Sequence, residues 1–414
     1  MRATDVFKPQ GTPTVTLVRE PVGAKSSQDF DDAIEEGGKL IRVVGPSKSG
    51  KTVFVATKAH DRDLIRVSAS GIQAGYDLWN RVLASAGAVA QRTTSLELGG
   101  ALGGEASAKA SAGILIAKAE TEGKLTADFS ATRTVEKTHA ADPLQTVVQS
   151  FARQNVWIFI DDFHYATPEI QRQLAEQIKY AAEEGVQLII ALIRGRSEDV
   201  IQANGDLQGR IVDIPFEYWD VDELSLIAET GFPLLGVRLE PGSARLLAVE
   251  SAGTPQLMQA ICLELARDLD AREALAEPKL VEITADHVTN VCTKLANNRA
   301  DFSSTIDQMR KGPPTRGTSR KSYPDSRGNA RDVYELLISA FGMDPPKLRL
   351  THDELQTRVN SLAGIDVASV WESVRHISDI ANNMSKEIKL DFGGDLRWVS
   401  ILDPYLFFAL RWGK

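Results

Sequence analysis

Two glycines, a lysine and a hydroxyl stand at fixed spacing in Gly45-Pro46-Ser47-Lys48-Ser49-Gly50-Lys51-Thr52. Glycine at 45 and 50 removes the Cβ atoms that would hold a backbone away from a polyanion, so successive N–H groups can turn inward around phosphate. Lys51 brings a compact positive charge to the outer phosphates, and Thr52 brings a hydroxyl suited to Mg²⁺. The chemistry is the binding of ATP or ADP with Mg²⁺. Candidate contacts run through Gly45, Pro46, Ser47, Lys48, Ser49, Gly50, Lys51, Thr52 and Val53. Lys48, at the loop tip, reads either as a phosphate neighbour or as a solvated lysine.

A second group of residues closes an apolar run, Trp157-Ile158-Phe159-Ile160-Asp161-Asp162. A buried strand has no packing reason to end in two carboxylates, because burying them unpaired is costly. Asp161 fits the Mg²⁺ shell, as in a Walker B strand, and Asp162 fits the group that orients or deprotonates an attacking water. His164 reads as a phosphate sensor or as a hydrogen-bonded surface histidine. After the run Leu188–Ile193 comes Arg194-Gly195-Arg196, and strand C-termini face the ligand crevice of an open parallel sheet. Arg194 is therefore the candidate sensor or finger on the γ-phosphate. Arg196 and Arg210 are weaker candidates.

These residues need elements to position them. Lys39–Val44 reads as a strand between Gly37-Gly38 and Gly45-Pro46, and a helix starts near Gly50 with Val53, Phe54 and Val55 directed to a core. Further strands are expected at Ile65–Ser68, Val156–Ile160, Leu188–Ile193 and Arg210–Ile214. Helices are expected at Asp29–Glu36, Tyr76–Ala90, 142–153 and 168–184. That alternation predicts an α/β, doubly wound parallel sheet, with a short β-like run at Thr14–Val18 ahead of it. Helices near 221–230, 241–251, 254–270 and 284–297 predict a helical lid. Residues 92–138 are rich in Gly, Ala, Ser and Thr and read as an insert holding a hairpin over Ile114–Thr132, or as a solvated loop.

Towards the C-terminus, 310–331 carries seven Arg and Lys against Asp325 and reads as a basic linker. Helices at 332–342, 351–362 and 367–386, then strands Ile388–Phe392 and Leu396–Ile401, are the ingredients of a winged-helix domain. The expected division is a core over 1–215, a lid over 216–300, a linker over 301–331 and a winged-helix-like domain over 332–414.

A net charge of −9 over 414 residues argues against a protein coated in nucleic acid, which needs concentrated positive charge. Cys262 and Cys292 are the only cysteines; they read as buried thiols in a reducing cytosol. Met1-Arg2-Ala3-Thr4-Asp5 has no apolar leader and no run suits a membrane span, so a cytoplasmic protein is expected.

With these residues assembled, the chain resembles the AAA+/STAND ATPases, especially Orc/Cdc6-like and archaeal-type members. The resemblance covers roughly residues 10 to 300. It includes the passage Ile214-Pro215-Phe216-Glu217-Tyr218-Trp219-Asp220-Val221-Asp222-Glu223-Leu224 and the turn Ser251-Ala252-Gly253-Thr254-Pro255-Gln256-Leu257. By resemblance, Pro255 senses the nucleotide and reports its state to the C-terminal domain; the alternative is a proline in the first turn of a helix. Ser400–Trp412, with Asp403-Pro404 and Arg411-Trp412, looks like the packing element that ends such relatives. Two departures matter. Asp162 replaces the glutamate usual in fast hydrolases, which implies slow turnover, and Gln256 replaces an arginine that commonly follows the proline.

The resemblance implies an ATP-gated switch that forms homo-oligomers and regulates a partner or effector protein, as in bacterial defence. The alternative is a DNA-binding loader or transposition-type regulator that grips double-stranded DNA through the winged helix and basic linker. The expected recognition helix, Val367–Lys386, with Asp366 just before it, sets Asp366, Glu372 and Asp379 against Arg375 and Lys386, a poor balance for phosphate. A metabolic kinase is a third reading, without an acceptor-substrate motif.

Overall fold

A computed structural model describes residues 1–17, 24–59, 62–100, 142–193, 209–298, 302–315, 317, 320–324, 328–384, 389–393 and 397–413. In chain order the elements are α1 (Ala3–Val6), α2 (Ala24–Glu36), β1 (Leu40–Val44), α3 (Lys51–Lys58), β2 (Asp63–Ser68) and α4 (Gly75–Gly100). There follow α5 (Pro143–Phe151), β3 (Val156–Asp161), α6 (Pro168–Glu183), β4 (Gln187–Leu192) and β5 (Ile211–Pro215). Next are α7 (Val221–Leu234), β6 (Val237–Leu239), α8 (Ser243–Glu250), α9 (Pro255–Asp268), β7 (Lys279–Val281) and α10 (Ala285–Asn297). The chain then forms α11 (Ser303–Lys311), β8 (Tyr323–Pro324), β9 (Ala330–Arg331), α12 (Val333–Phe341), β10 (Arg349–Thr351) and α13 (His352–Ala363). It finishes with α14 (Val370–Asn383), β11 (Leu390–Gly393), β12 (Trp398–Ile401) and α15 (Pro404–Trp412).

The described residues divide into two compact units. One is drawn from Val22–Val44 and Phe54–Pro215, the other from Met1–Pro21, Gly45–Val53 and Phe216–Lys414. The first is the expected parallel sheet, in the order β2-β3-β4-β1-β5. Every residue of β3 is buried, as a strand covered on both faces must be, and its composition is correspondingly apolar up to the closing Asp161. Leu40, Val44, Ile65, Val67, Ile158, Ile160 and Ile190 pack with α4, α5 and α6 on one face. On the other, Phe30 meets the rings of Phe54 and Trp157 at 5.1 and 5.4 Å. Helix starts are set locally. Asp142 and Thr167 accept the N–H groups of Leu144 and Ile170, and Pro143 and Pro168 hold the first helical positions.

In the second unit α7 to α10 form the lid core with α1. The expectation of helices alone is corrected here, since β6 and β7 pair in parallel; three-residue strands leave too little alternation to read. The C-terminal part packs α11 to α14 under the antiparallel sheet β10-β12-β11. The helices α12 to α14 and the strand pair β11 and β12 follow the expected order, and β10 is a further strand between α12 and α13. Asp332 with Glu335 and Thr351 with Glu354 make capping boxes at α12 and α13.

Other expectations change. Thr14–Leu17 forms no strand. Thr16 is instead buried, donating to the Val6 carbonyl at 2.9 Å and accepting from Gln259 at 2.8 Å, so its polar groups are satisfied without a ladder. Helix α4 continues to Gly100, through residues whose Gly and Ala content suggests a loop. The hairpin at 114–132 lies outside the described residues. Within 301–331, α11 buries Ile306 and Met309 in the C-terminal core. Arg320 is bound to the Lys311 and Pro313 carbonyls and to Asp332, and Arg331 to the Glu335 carbonyl and Ser339. Cys262 and Cys292 are buried, free thiols whose pKa burial pushes up. Among the described residues no helix is long and apolar enough to cross a membrane.

Candidate functional site

The loop follows β1 directly and leads into α3, as the spacing requires. Lys48 and Gly50 have φ of 62° and 101°, both left-handed, and alternating backbone hands turn N–H groups towards one side. For Lys48 this conformation is unusual, which makes its backbone part of the loop's shape. Ser49 is fully buried and its hydroxyl donates to the Pro46 carbonyl at 2.9 Å. The Lys51 ammonium donates to the Gly45 carbonyl at 2.9 Å and the Pro46 carbonyl at 2.5 Å, so its charge is directed into the loop. A Cβ on Gly45 would lie 2.3 Å from the Phe216 carbonyl oxygen; only glycine fits. Ser47 and Thr52 flank these groups in the loop and the first turn of α3. Val53 is half-buried while Phe54 and Val55 are buried, so Val53 departs from the expected core role.

Asp161 and Asp162 sit at the C-terminal end of β3. Ile160 and Arg42 both pair with Ile190. Asp161 is therefore level with Val43, close to where the chain leaves β1 for the loop. The buried Asp161 carboxylate accepts the Asp162 N–H at 3.0 Å and pairs with Arg66 at 2.7 Å. Asp162 has φ 61° and accepts the Ser68 hydroxyl at 3.0 Å. A non-glycine residue held left-handed at a strand end marks a constrained position, since that backbone is costly for a residue with a Cβ. His164 is half-buried, its ring 4.1 Å from that of Tyr165.

Arg194 and Arg196 lie outside the described residues. Arg210 is exposed, 3.8 Å from Glu183. Pro255 opens α9 at its first turn, behind a turn in which Ala252 and Gly253 are both left-handed, with φ 48° and 82°. The Trp219 N–H donates to the Gly253 carbonyl at 3.0 Å. Just before this turn, Glu250 receives the Arg411 guanidinium through two hydrogen bonds of 2.7 and 2.9 Å and the Trp412 indole N–H at 3.0 Å. Arg411 also donates to the Gly342 carbonyl and Asp344, both at 2.6 Å. Ala252 and Tyr218 pack on the C-terminal core. Burial pushes the Tyr218 hydroxyl pKa up to about 12, against a smaller lowering from Arg349.

Sequence reasoning missed Arg66, Ser68, Trp219 and Glu250. The polar alternation Arg66, Ser68 within β2 was a signal for the first two. Trp219 and Glu250 carried none, because their partners Ser49 and Arg411 are remote in sequence.

Taken separately, the N–H groups, ammonium and hydroxyls of the loop are of the kind that suits nucleotide phosphate, and the carboxylates closing β3 are of the kind that suits a hard cation. No protein-family model matches the chain. Its sequence is similar to the Holliday junction branch migration complex subunit RuvB of Parabacteroides distasonis, 25% identical over 245 residues, covering 52% of this chain and 68% of that protein. Among solved structures it is similar to a Walker-type ATPase of Pyrococcus abyssi, with 14% identity, 94% and 95% coverage of the two chains and a TM-score of 0.47. Cdc6p from Pyrobaculum aerophilum gives 11% identity, 99% and 97% coverage and a TM-score of 0.42. The loop pattern after β1, the acid pair closing β3 and the sequence likeness to RuvB agree with the AAA+ superfamily of P-loop ATPases.

Proposed function

We propose that the chain is a slowly hydrolysing, ATP-dependent switch of the cytoplasm that oligomerises and regulates a partner protein through its C-terminal module. The loop Gly45–Val53 holds the phosphates, with Lys51 as the cation. Thr52 and Asp161 are the residues that would hold Mg²⁺, whose chemistry is to neutralise charge on the outer phosphates. Asp162 orients the attacking water and accepts its proton, and its short side chain, tied to Ser68, keeps that step slow. Arg194 is the candidate cation for the γ-phosphate, and Pro255 opens the helix that senses it.

The observation that carries the switch reading is the clamp of Arg411 and Trp412 on Glu250. It ties the winged-helix-like module to the residue just before the Ser251–Thr254 turn. A change at that turn therefore meets the module directly. The DNA-binding reading loses two of its cations, because Arg320 and Arg331 are bound internally.

Light scattering tests the two readings together, in ADP·Mg²⁺ and ATP·Mg²⁺, each with and without a duplex of about 40 base pairs. Growth in mass with ATP alone supports the protein switch. Growth that needs duplex and fades with salt supports DNA binding. Asp162→Asn is expected to bind ATP and stay in the ATP-state mass. Lys51→Ala is expected to lose nucleotide binding, and wild-type affinity in that variant would sink the phosphate-loop assignment.

A further inference from the structure

The segment Gly45–Val53 groups with the unit that contains the lid, whereas the strand before it groups with the sheet. Two contacts explain this membership. Gly45 lies against the Phe216 backbone so closely that no Cβ fits. Ser49, fully buried, receives on its carbonyl oxygen the Trp219 indole N–H, at 3.2 Å. Trp219 is itself immobilised. Its ring is buried in the lid core, its backbone N–H is bonded to the Gly253 carbonyl, and Asp220 beside it caps α7 through a capping box with Glu223.

A trans peptide is planar, so its C=O and the next N–H point in opposite directions. A donor that fixes the Ser49 carbonyl therefore fixes the Gly50 N–H on the opposite side. Gly50, with φ 101°, has no Cβ to restrict that peptide, and the Trp219 bond restrains it from outside the loop. We propose that Trp219 is a positioning residue for the phosphate loop: its indole N–H orients the Ser49–Gly50 peptide, and so an N–H group of the phosphate cradle. This rests on the reading of Gly45–Thr52 as the phosphate loop. The same side chain joins the loop to the Gly253 turn, so the peptide that meets phosphate and the turn before Pro255 share one anchor.

The test separates the N–H group from the ring. Replacing Trp219 in the full chain with 3-benzothienylalanine exchanges the N–H for sulfur and keeps the shape; Trp219→Phe removes the N–H and part of the ring. Affinities for ADP and for ATP are measured by calorimetry on both variants, with melting curves alongside and Lys51→Ala as the control for the loop itself. The expected result for the benzothienyl variant is a loss of about five- to tenfold, the worth of one hydrogen bond. It falls equally on ADP and ATP, and KM for ATP rises with kcat unchanged. A melting temperature close to wild type accompanies that loss. Affinity within twofold of wild type in the benzothienyl variant overturns the proposal, whatever Trp219→Phe does. Lys51→Ala then reports separately, since a control that still binds nucleotide removes the loop reading and a control that does not leaves it standing.

Discussion

Arg411→Met removes a guanidinium whose side chain is 10% exposed and whose partner, Glu250, is equally shielded. The wild-type pair is bidentate, at 2.7 and 2.9 Å. The variant leaves the Glu250 carboxylate to the Trp412 indole N–H and strips a donor from the Gly342 carbonyl. Removing one partner of a buried pair costs about 3–5 kcal/mol, because the other charge stays buried; about 4 kcal/mol is expected here. Glu250→Gln is milder, at about 1.5–3 kcal/mol, since Arg411 keeps Gly342 and Asp344. Glu250→Leu with Arg411→Met removes both charges and should fall within about 2 kcal/mol of wild type. Urea unfolding followed by tryptophan fluorescence, with linear extrapolation, gives all three values. A cost below about 1 kcal/mol for Arg411→Met, or a double variant that loses as much as Arg411→Met alone or more, would refute the reasoning.

Gly45→Ala should weaken nucleotide binding at least tenfold, read by titration of a fluorescent ADP analogue, since its Cβ would meet the Phe216 backbone at 2.3 Å and force the loop to shift. Asp213→Ala leaves Arg42, 1% exposed, without its bidentate partner on β5. Chemical denaturation should show a loss near the lower end of about 3–5 kcal/mol, recovered in part by adding Arg42→Met. The Lys347 ammonium, with the Thr351 N–H, holds the Glu354 carboxyl down to about 2, from an ordinary 4.5. A depressed folded pKa contributes stability above the unfolded value and loses it as pH falls through the folded one. The gap in stability between wild type and Glu354→Gln should therefore close between pH 4.5 and 2, and shrink with salt because both partners of the pair are more than a third exposed.

What could be read from the sequence follows from the range of the interactions involved. The loop and the acid pair declare themselves because each is contiguous and its residue types suit one chemistry. The strands β1, β3 and β4 are legible because double-sided burial leaves them almost wholly apolar, broken only by Arg42 within β1 and by Asp161 and Gln187 at the ends of β3 and β4. The strands β6, β7 and β10, each three residues long, show no period to detect. Thr14–Leu17 has β-forming residues but no strand beside it, and its register is taken over by the bonds of Thr16. The stretch 301–331 reads as a basic linker because its charges are visible and their partners are not. Arg320 and Arg331 are held by carbonyl oxygens, which carry no sequence signature. The same applies to Trp219, which meets Ser49 through a backbone carbonyl.

The Arg411 clamp also sets the size of the signal that a switch would need. If its opening costs about 4 kcal/mol, about one chain in a thousand is open at rest. Taking that population from the minority to the majority requires a ligand with a preference for the open form of the order of 10⁴. Ala252 supplies part of this. Held left-handed at φ 48° with its methyl against the C-terminal core, it carries about 1–2 kcal/mol of backbone cost, which a rearranged turn would release. The rest must come from phosphate contacts that differ between ADP and ATP. Arg411→Met then acts in place of ATP: its chains should reach the ATP-state mass in ADP·Mg²⁺ while folded. A variant that loses the full 4 kcal/mol and still keeps the ADP-state mass would assign the clamp to the fold alone, and the switch would have to act through other contacts.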